Sequence, residues 1–254
     1  MTVSDDQYGW LDGIDWSEVS AQYAEWRRRP ATVSVIVPWQ PGCPHREAAW
    51  AHLRPLWEQV GELIEGHCDG PWVKADAVAD GLTRATGDLL VIADADVWVD
   101  PSDAVAACET WAVPHLKVHR LSERSTELAI AGEDWRRLPL DQSNQRDRKP
   151  YRGQPGGGVT VIRRDIYEAC PIPRIEGWGQ EDEAWSIALH CLYGEPWRGD
   201  RDLVHFWHPP QPRMSRIIGS AEGQHLRKRY RDAQNDPAAM RALIKEATCI
   251  PNAS

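Results

Sequence analysis

Two carboxylates stand two residues apart at the end of an apolar run, where Asp94 and Asp96 follow the stretch DLLVIA. Alternate residues at a strand end can place both side chains near one cation, and carboxylate oxygens suit Mg²⁺ or Mn²⁺. Ligands of open α/β sheets bind at the carboxyl ends of the strands. An isolated Asp-x-Asp is more often a solvated acidic turn. The strand before it and the motifs after it favour a metal site here.

A second group of acids lies in GWGQEDE, at a junction between a loop and a helix. Glu181 and Asp182 would lie in the first helical turn, where the helix dipole favours carboxylates, so capping is the simple alternative. The two glycines and Trp178 ahead of them suggest a shaped pocket with an aromatic face for a sugar ring. A carboxylate held there can act as general base on a hydroxyl.

Two further motifs carry possible ligands. His205 and His208 lie in HFWH, at the end of a strand that stops at prolines, and one of the imidazoles could bind a metal. A lone histidine is more often structural. The triplet at 156–158 is all glycine, which allows a backbone to approach a substrate closely or to make a tight turn.

The elements that must position these residues alternate between strand and helix. Apolar strands are predicted for TVSVIVP, ELIEG and DLLVIADADVWVD. Helices are predicted for HREAAWAHLRPLWEQV, with a kink at Pro55, and for VKADAVADGLTRAT, closed by Gly87. Strand–helix–strand–helix–strand implies a parallel sheet with right-handed crossovers.

The rest of the chain is less regular. Strands are predicted at 113–120 and in PGGGVTVIRR and DLVHFWHPPQP, with a polar loop at 132–153. Helices are predicted at 17–29, after PGGGVTVIRR, in GWGQEDEAWSIALHCLYG, and in the tail from 213 to 254. We therefore expect a catalytic domain at 1–212, with a nucleotide-sugar half at about 30–100 and an acceptor half at 101–212, and a helical extension at 213–254.

Composition narrows the class of protein. The chain has 254 residues, 42% of them hydrophobic and 26% charged, which is ordinary for a globular domain and excludes disorder as the main architecture. It has no apolar run of eighteen residues and no secretory signal, which predicts a cytoplasmic protein. The six cysteines form no CxxC pair, so we expect reduced thiols and no zinc site.

The order of the motifs between residues 32 and 209 resembles that of the GT-A glycosyltransferases. Their nucleotide-binding strand is similar to TVSVIVPW, and their Lys-Ala…Gly-Asp…Asp-x-Asp stretch to WVKADAVADGLTRATGDLLVIADADVW. GGGVTVIRRDIYEACPIPRIEGWGQEDE resembles the Gly-Gly strand and Gly-Trp-Gly-x-Glu-Asp motif of the family 2, β4-galactosyltransferase and polypeptide N-acetylgalactosaminyltransferase-like branch. HFWH stands where that branch has its third metal ligand. The chain also resembles small glycosyltransferases of actinobacteria and their phages.

The resemblance implies an α/β, Rossmann-like GT-A fold, with a mostly parallel sheet and helices on both faces. It implies a hexosyltransferase that uses a nucleotide-sugar, with a UDP-sugar favoured, and Mn²⁺ or Mg²⁺. Asp94 and Asp96 fall on the metal-binding turn, with His208 favoured over His205 as the next ligand. Asp182 falls on the base of inverting relatives, with Glu181 orienting the acceptor. The implied donor-binding residues are Pro38, Trp39, Arg46, Asp69, Lys74, Asp94, Gly157, Gly158 and Trp178.

Two other classes of function match the sequence less well than transfer of a sugar. A nucleotidyltransferase needs a Gly-rich, basic phosphate loop after its first strand, and PWQPGCPHRE matches that poorly. A non-catalytic sugar- or nucleotide-binding module would be expected to lose Asp96 or Asp182, and both are present. Glycosyl transfer is therefore the favoured hypothesis.

Two arginine-rich stretches suggest an acceptor. They include Arg146, Arg148, Arg152, Arg213 and Arg216, in a chain whose net charge is −9. Such stretches are usually solvated surface, but they are also typical of polyanion binding. With the phage resemblance, DNA carrying 5-hydroxymethylpyrimidines becomes the leading predicted acceptor. An envelope glycan, a lipid or a virion protein stays open.

Overall fold

The structure, a computed structural model, describes residues 15, 17, 31–141, 158–177, 179–209 and 220–248. The chain divides into two compact units, Met1–Ala31 and Thr32–Ser254. In the first unit, the Ser17 N–H donates to Asp15 Oδ1 at 2.9 Å; the rest of the helix predicted at 17–29 lies outside the described residues. The fold that follows is that of the second unit.

A seven-stranded sheet forms the centre of the described fold, in the order β2-β1-β3-β6-β5-β7-β4. Five strands run in one direction, while β4 and β6 run in the other. The predicted α/β class with a mostly parallel sheet is therefore confirmed. The strands are β1 Val33–Pro38, β2 Glu62–Gly66, β3 Leu89–Ala93, β4 Val97–Trp98, β5 Trp111–Arg120, β6 Val159–Arg163 and β7 Trp197–His205.

Helices cover both faces of the sheet. Neighbouring residues of β1 point to opposite sides, so that Val35 packs in a core with α1, while Ile36 packs in a second core with α2, α6, α7 and α8. None of the described helices combines the length and apolarity needed to span a bilayer. The helices are α1 Pro44–Trp57, α2 Lys74–Leu82, α3 Ser102–Ala107, α4 Glu123–Ile130, α5 Arg164–Ala169, α6 Glu181–Tyr193, α7 Ala221–Asp232 and α8 Pro237–Thr248.

A buried serine ties the first strands together. Ser34 is fully buried in β1, donates its hydroxyl to Glu62 Oε2 at 2.7 Å, and accepts the N–H of Gly87 at 2.8 Å. A Cβ on Gly87 would lie 2.4 Å from Ser34 N. The helix predicted to close at Gly87 ends instead at Leu82, because this glycine is needed for the close approach of its loop to β1.

The middle of the chain departs from the sequence prediction. Two short helices, α3 and α4, were not predicted, and α4 is capped by Ser122, whose hydroxyl accepts the Ser125 N–H at 3.1 Å. Strand β6 enters antiparallel between β3 and β5. Part of the predicted polar loop forms a short 3₁₀ helix, Trp135–Arg137; residues 142–153 of it lie outside the described residues.

Candidate active site

A cavity of about 760 Å³ opens at the carboxyl ends of β1, β3, β5 and β7. The ends of parallel strands meet at one edge of a sheet, so residues distant in sequence converge there. Most of the described residues predicted for the site line this cavity: Pro38, Trp39, Arg46, Lys74, Asp94, Asp96, Gly158, Glu181, Asp182, His205 and His208.

The Asp-Ala-Asp turn spans two parts of the sheet. Asp94 is fixed to the start of β6, because its N–H donates to Gly158 O at 2.9 Å and its Oδ2 accepts the Gly158 N–H at 3.0 Å. Asp96 is fixed to the end of β7, where its carbonyl accepts the Phe206 N–H at 2.8 Å. Gly158 has φ +82°, and a Cβ there would lie 3.0 Å from Leu203 Cδ1. The two aspartates therefore face different neighbours.

Asp96, His205 and His208 form a group that can hold a metal ion, with one ligand atom from each lying within 4.8 Å of the others. The pairing of β4 with β7 sets His205 opposite Val97, next to Asp96. Burial lowers the pKa of His205 to about 4, against an opposing effect of Asp96, so its imidazole is neutral and can ligate. Asp94 does not belong to this group.

A hydrogen bond to the backbone fixes which ring nitrogen of His208 carries a proton. His208 Nδ1 lies 2.8 Å from the Pro209 carbonyl, which can only accept, so Nδ1 carries the proton. The other ring nitrogen, Nε2, is then the atom that can ligate, and it lies 3.2 Å from Asp96 Oδ2. Two ligands about 2.1 Å from one cation and at right angles to each other are about 3.0 Å apart. The pair therefore fits Mg²⁺ or Mn²⁺.

Arg46 contacts both of these atoms. Its Nε lies 3.1 Å from Asp96 Oδ2, and its Nη2 lies 3.3 Å from His208 Nε2. The guanidinium thus neutralises the carboxylate and donates to the imidazole at once. This side chain was predicted to bind the donor, and the structure places it against the metal-binding group.

Lys74 lies between the acidic turn and the start of α6. Its buried ammonium is 2.8 Å from Asp94 Oδ1 and 2.9 Å from Asp182 Oδ1. Burial alone would lower the pKa of Lys74, but the charges of Asp182, Asp94 and Glu181 outweigh burial and hold this pKa well above its usual value. Burial alone would raise the pKa of Asp94, but the charge and the hydrogen bond of Lys74, together with the Gly158 N–H, hold this pKa below its usual value. Lys74 is therefore a permanent cation of the site.

The loop before α6 turns sharply to present the two acids. Gly177, Gly179 and Gln180 all have positive φ, at 89°, 97° and 83°, and the Gly177 N–H donates to the Trp72 carbonyl at 2.8 Å. Glycine adopts this left-handed conformation at no steric cost, whereas Gln180 adopts it directly before the first turn of α6. The turn places Glu181 and Asp182 in the wall of the cavity.

Burial makes both acids more basic than ordinary carboxylates. It raises the pKa of Glu181 to about 7, with help from the charge of Asp182 and against the effect of Lys74. Burial and Asp94 likewise raise the pKa of Asp182, although Lys74 opposes them. Glu181 Oε2 is buried and has no hydrogen-bond partner in the described part of the chain. Carboxylates in this state are suited to take up or share a proton.

Some predicted residues lie elsewhere. Asp69 is exposed and is not brought to the cavity. Sequence reasoning missed Arg120, which lines the cavity at the end of β5; the convergence of strand ends could have indicated it. Seven predicted site residues lie outside the described residues: Gly157, Trp178, Arg146, Arg148, Arg152, Arg213 and Arg216.

Comparison with known proteins found similarity among solved structures. No family model and no curated protein matches the chain. A crystal structure of glucosyl-3-phosphoglycerate synthase from Mycobacterium tuberculosis, in complex with Mn²⁺, UDP-glucose and phosphoglyceric acid, is 17% identical, covers 83% of this chain and 80% of that chain, and has a TM-score of 0.46. A complex of this synthase with phosphoglyceric acid is 17% identical over 74% and 75% of the two chains, at 0.43. A mycobacterial protein is 13% identical over 88% and 78%, at 0.46.

Removal of the buried ammonium should destabilise the fold. We predict that Lys74→Met lowers the free energy of unfolding by roughly 3 kcal/mol at pH 7, because Asp94 and Asp182 lose their shared partner. Folding raises the pKa of Lys74, so its contribution to stability is fully present at pH 7, below the unfolded-state pKa, and is lost as the pH rises through the folded-state pKa. Urea unfolding followed by tryptophan fluorescence measures the change.

The pH dependence separates this effect from lost packing. In Lys74→Met, the folded-state pKa values of Asp94 and Asp182 should rise. The loss in free energy of unfolding should therefore become smaller as the pH falls from 7 to 5. Lys117→Met, on an exposed position of β5, is the matched control and should lose less than about 0.5 kcal/mol. Equal losses in the two variants would contradict the assigned role of Lys74.

Proposed function

We propose that this protein is a metal-dependent, inverting glycosyltransferase that moves a hexose from a nucleotide-sugar, with a UDP-sugar favoured, to an acceptor hydroxyl. The observation that carries the proposal is one cavity that holds both the group of Asp96, His205 and His208 and the acids Glu181 and Asp182. The first can bind the cation that a diphosphate requires, and the second supplies a base. Neither part alone would distinguish transfer from simple binding.

The charge of the cavity supports a divalent cation. Five carboxylates and three lysine or arginine side chains line it, so an anionic nucleotide-sugar would meet an excess of negative charge. Mn²⁺ or Mg²⁺, held by Asp96, His208 and His205, would neutralise the diphosphate and its departing charge. Pro38, Trp39 and Gly158 line the cavity beside this group and are proposed to contact the donor, together with Gly157 and Trp178.

Asp182 is proposed as the catalytic base. Its Oδ1 is held by Lys74, so Oδ2 is the oxygen that can take the proton of the acceptor hydroxyl. As the acceptor hydroxyl oxygen loses this proton and bonds to the anomeric carbon, the bond from this carbon to the diphosphate breaks, and a single displacement inverts the centre. Burial raises the pKa of Asp182 above its usual value, which favours proton uptake. Glu181 is proposed to orient the acceptor.

The acceptor proposed from the sequence is 5-hydroxymethylpyrimidine DNA, with an envelope glycan, a lipid or a virion protein as alternatives. The arginine-rich stretch that begins at Arg213 also contains Arg227, Arg229 and Arg231. Arg227 and Arg231 both contact Glu183, at 2.8 and 2.6 Å, and Arg229 contacts Glu246. Glu183 balances the charge of only one of its two guanidiniums, whereas Glu246 balances that of Arg229. The DNA hypothesis rests on the remaining positive charge of the two stretches, including the exposed Arg136 and Arg137. A phage origin with action in the host cytoplasm rests on the motif resemblance alone.

Loss of the metal-binding carboxylate should abolish donor binding. We predict that Asp96→Ala removes Mn²⁺-dependent binding of UDP and slow Mn²⁺-dependent hydrolysis of UDP-sugars, because the diphosphate loses its cation. Isothermal titration of UDP with and without EDTA measures the first, and UDP release across a panel of UDP-sugars measures the second. Asp200→Ala, at an exposed position of β7, is the control. UDP affinity of the unsubstituted protein that is indifferent to EDTA would refute the metal role.

Removal of the proposed base should slow transfer without weakening donor binding. We predict that Asp182→Asn lowers kcat by about 10²-fold or more, because the shape is kept while the proton acceptor is lost. Glu176→Gln, an exposed acid ahead of the same loop, should keep normal turnover. The product should carry an inverted anomeric centre, measured from its NMR coupling constant. Nearly full turnover in Asp182→Asn would show that the base lies elsewhere.

The DNA acceptor can be tested directly. We predict that the protein, Mn²⁺ and one of a panel of UDP-sugars convert hydroxymethylcytosine DNA to a product whose nucleosides gain the mass of a sugar. Binding should weaken with salt, with a log–log slope of about −0.9 per phosphate contact. The hydroxymethyl group can reach a deep site only if the base leaves the stack, at a cost of a few kcal/mol. Absence of both the mass shift and salt-sensitive binding would leave a glycan, lipid or protein acceptor.

A further inference from the structure

We propose that Arg46 is a built-in counter-cation of the metal site, which competes with the divalent cation for Asp96 and His208. This inference rests on the proposed metal-dependent function and concerns how the site accepts its cation. It assigns to Arg46 a role in controlling metal binding, beyond the contact with the donor that its position predicts.

The competition follows from the atoms involved. Asp96 Oδ2 and His208 Nε2 lie 3.2 Å apart, and each would offer its lone pair to a bound cation. One guanidinium engages both, through Nε at 3.1 Å from the oxygen and Nη2 at 3.3 Å from the nitrogen. A guanidinium and a divalent cation at the same oxygen would repel each other. Binding of the metal therefore requires Arg46 to leave these two atoms.

Exposure indicates which part moves. The Arg46 side chain is 26% exposed, whereas Asp96 and His208 are 8% and 12% exposed. Arg46 lies in the first turn of α1, just after the loop that follows β1, so its guanidinium can rotate about its own side-chain bonds while the helix stays in place. The two acceptors are fixed by backbone contacts at β7 and Pro209.

The displaced guanidinium would remain in the cavity. Arg46 lines the same cavity as Trp39 and Asp96, and a planar guanidinium binds phosphate oxygens in a bidentate manner. When metal and nucleotide bind together, the side chain can thus exchange a carboxylate for a diphosphate. The same residue should hinder the metal alone and help the metal–nucleotide pair.

Opposite effects on two affinities test this role. Arg46→Met keeps most of the apolar stem and removes the charge. In the absence of nucleotide, we expect this variant to bind Mn²⁺ about tenfold more tightly than the unsubstituted protein, a difference of about 1.4 kcal/mol. At saturating Mn²⁺, we expect it to bind UDP about tenfold more weakly. Electron paramagnetic resonance of free Mn²⁺ measures the first affinity, and isothermal titration measures the second.

Three further variants make the result unambiguous. Arg46→Lys should bind Mn²⁺ with intermediate affinity, because a compact ammonium cannot engage both acceptors as the guanidinium fork does. Arg84→Met, at an exposed position in the turn after α2 and away from the cavity lining, should leave both affinities unchanged. Asp96→Ala should lose Mn²⁺ binding in any background.

The outcomes distinguish this inference from the proposed function. If Asp96→Ala loses Mn²⁺ binding but Arg46→Met binds Mn²⁺ no more tightly than the unsubstituted protein, the competition is overturned and the metal site stands. If Asp96→Ala binds Mn²⁺ as well as the unsubstituted protein does, the proposed metal site itself is wrong. Tighter Mn²⁺ binding together with weaker UDP binding in Arg46→Met supports the competition, since a merely structural defect would weaken both.

Discussion

The candidate site depends on one buried cation, the ammonium of Lys74. Its contacts with Asp94 and Asp182 join the end of β3 to the first turn of α6, two parts of the chain that are far apart in sequence. Without that ammonium, Asp94, Asp182 and the buried Glu181 would face each other as like charges in a region of low dielectric constant. The loop before α6 has positive φ at Gly177, Gly179 and Gln180. It can bring Glu181 and Asp182 close to the sheet because the Lys74 ammonium compensates their charge.

The strand order gives the two aspartates of the Asp-Ala-Asp turn different partners. Since β6 lies beside β3, while β4 pairs with β7 across the sheet, the turn must run from one strand pair to the other. Asp94 remains with β6 through the Gly158 backbone, and Asp96 arrives at β7 beside His205. One aspartate therefore fastens the sheet to α6 through Lys74, and the other is left facing two imidazoles. Spacing alone would have treated the two as equivalent.

Patterns that depend on local sequence predicted the first half of the fold well. Apolar runs predicted β1 and β2 nearly to the residue, because buried parallel strands are continuously apolar. The third predicted strand, DLLVIADADVWVD, is divided into β3 and the short β4, which pairs with β7. Features that depend on distant partners were not visible: the antiparallel entry of β6, the close approach of Gly87 to Ser34, and the pairing of Lys74 with an acid 108 residues away. In the site, residue types indicated the chemistry, and the motif resemblance placed Asp96, His208 and Asp182 in it. The sequence could not tell which cation would neutralise which acid.

The two cations in contact with these acids differ in a way that matches the two halves of the proposed reaction. Lys74 is buried between carboxylates whose charges hold its pKa high, so it can neither lose its proton nor move away without leaving buried charges unpaired. It suits a base that must keep one orientation through every turnover. Arg46 is one-quarter exposed and sits on a helix at the rim of the same cavity. It suits a carboxylate whose partner must change when metal and nucleotide arrive. A site that used a fixed cation at Asp96 would exclude the metal, and one that used an exchangeable cation at Asp182 would lose the geometry of its base.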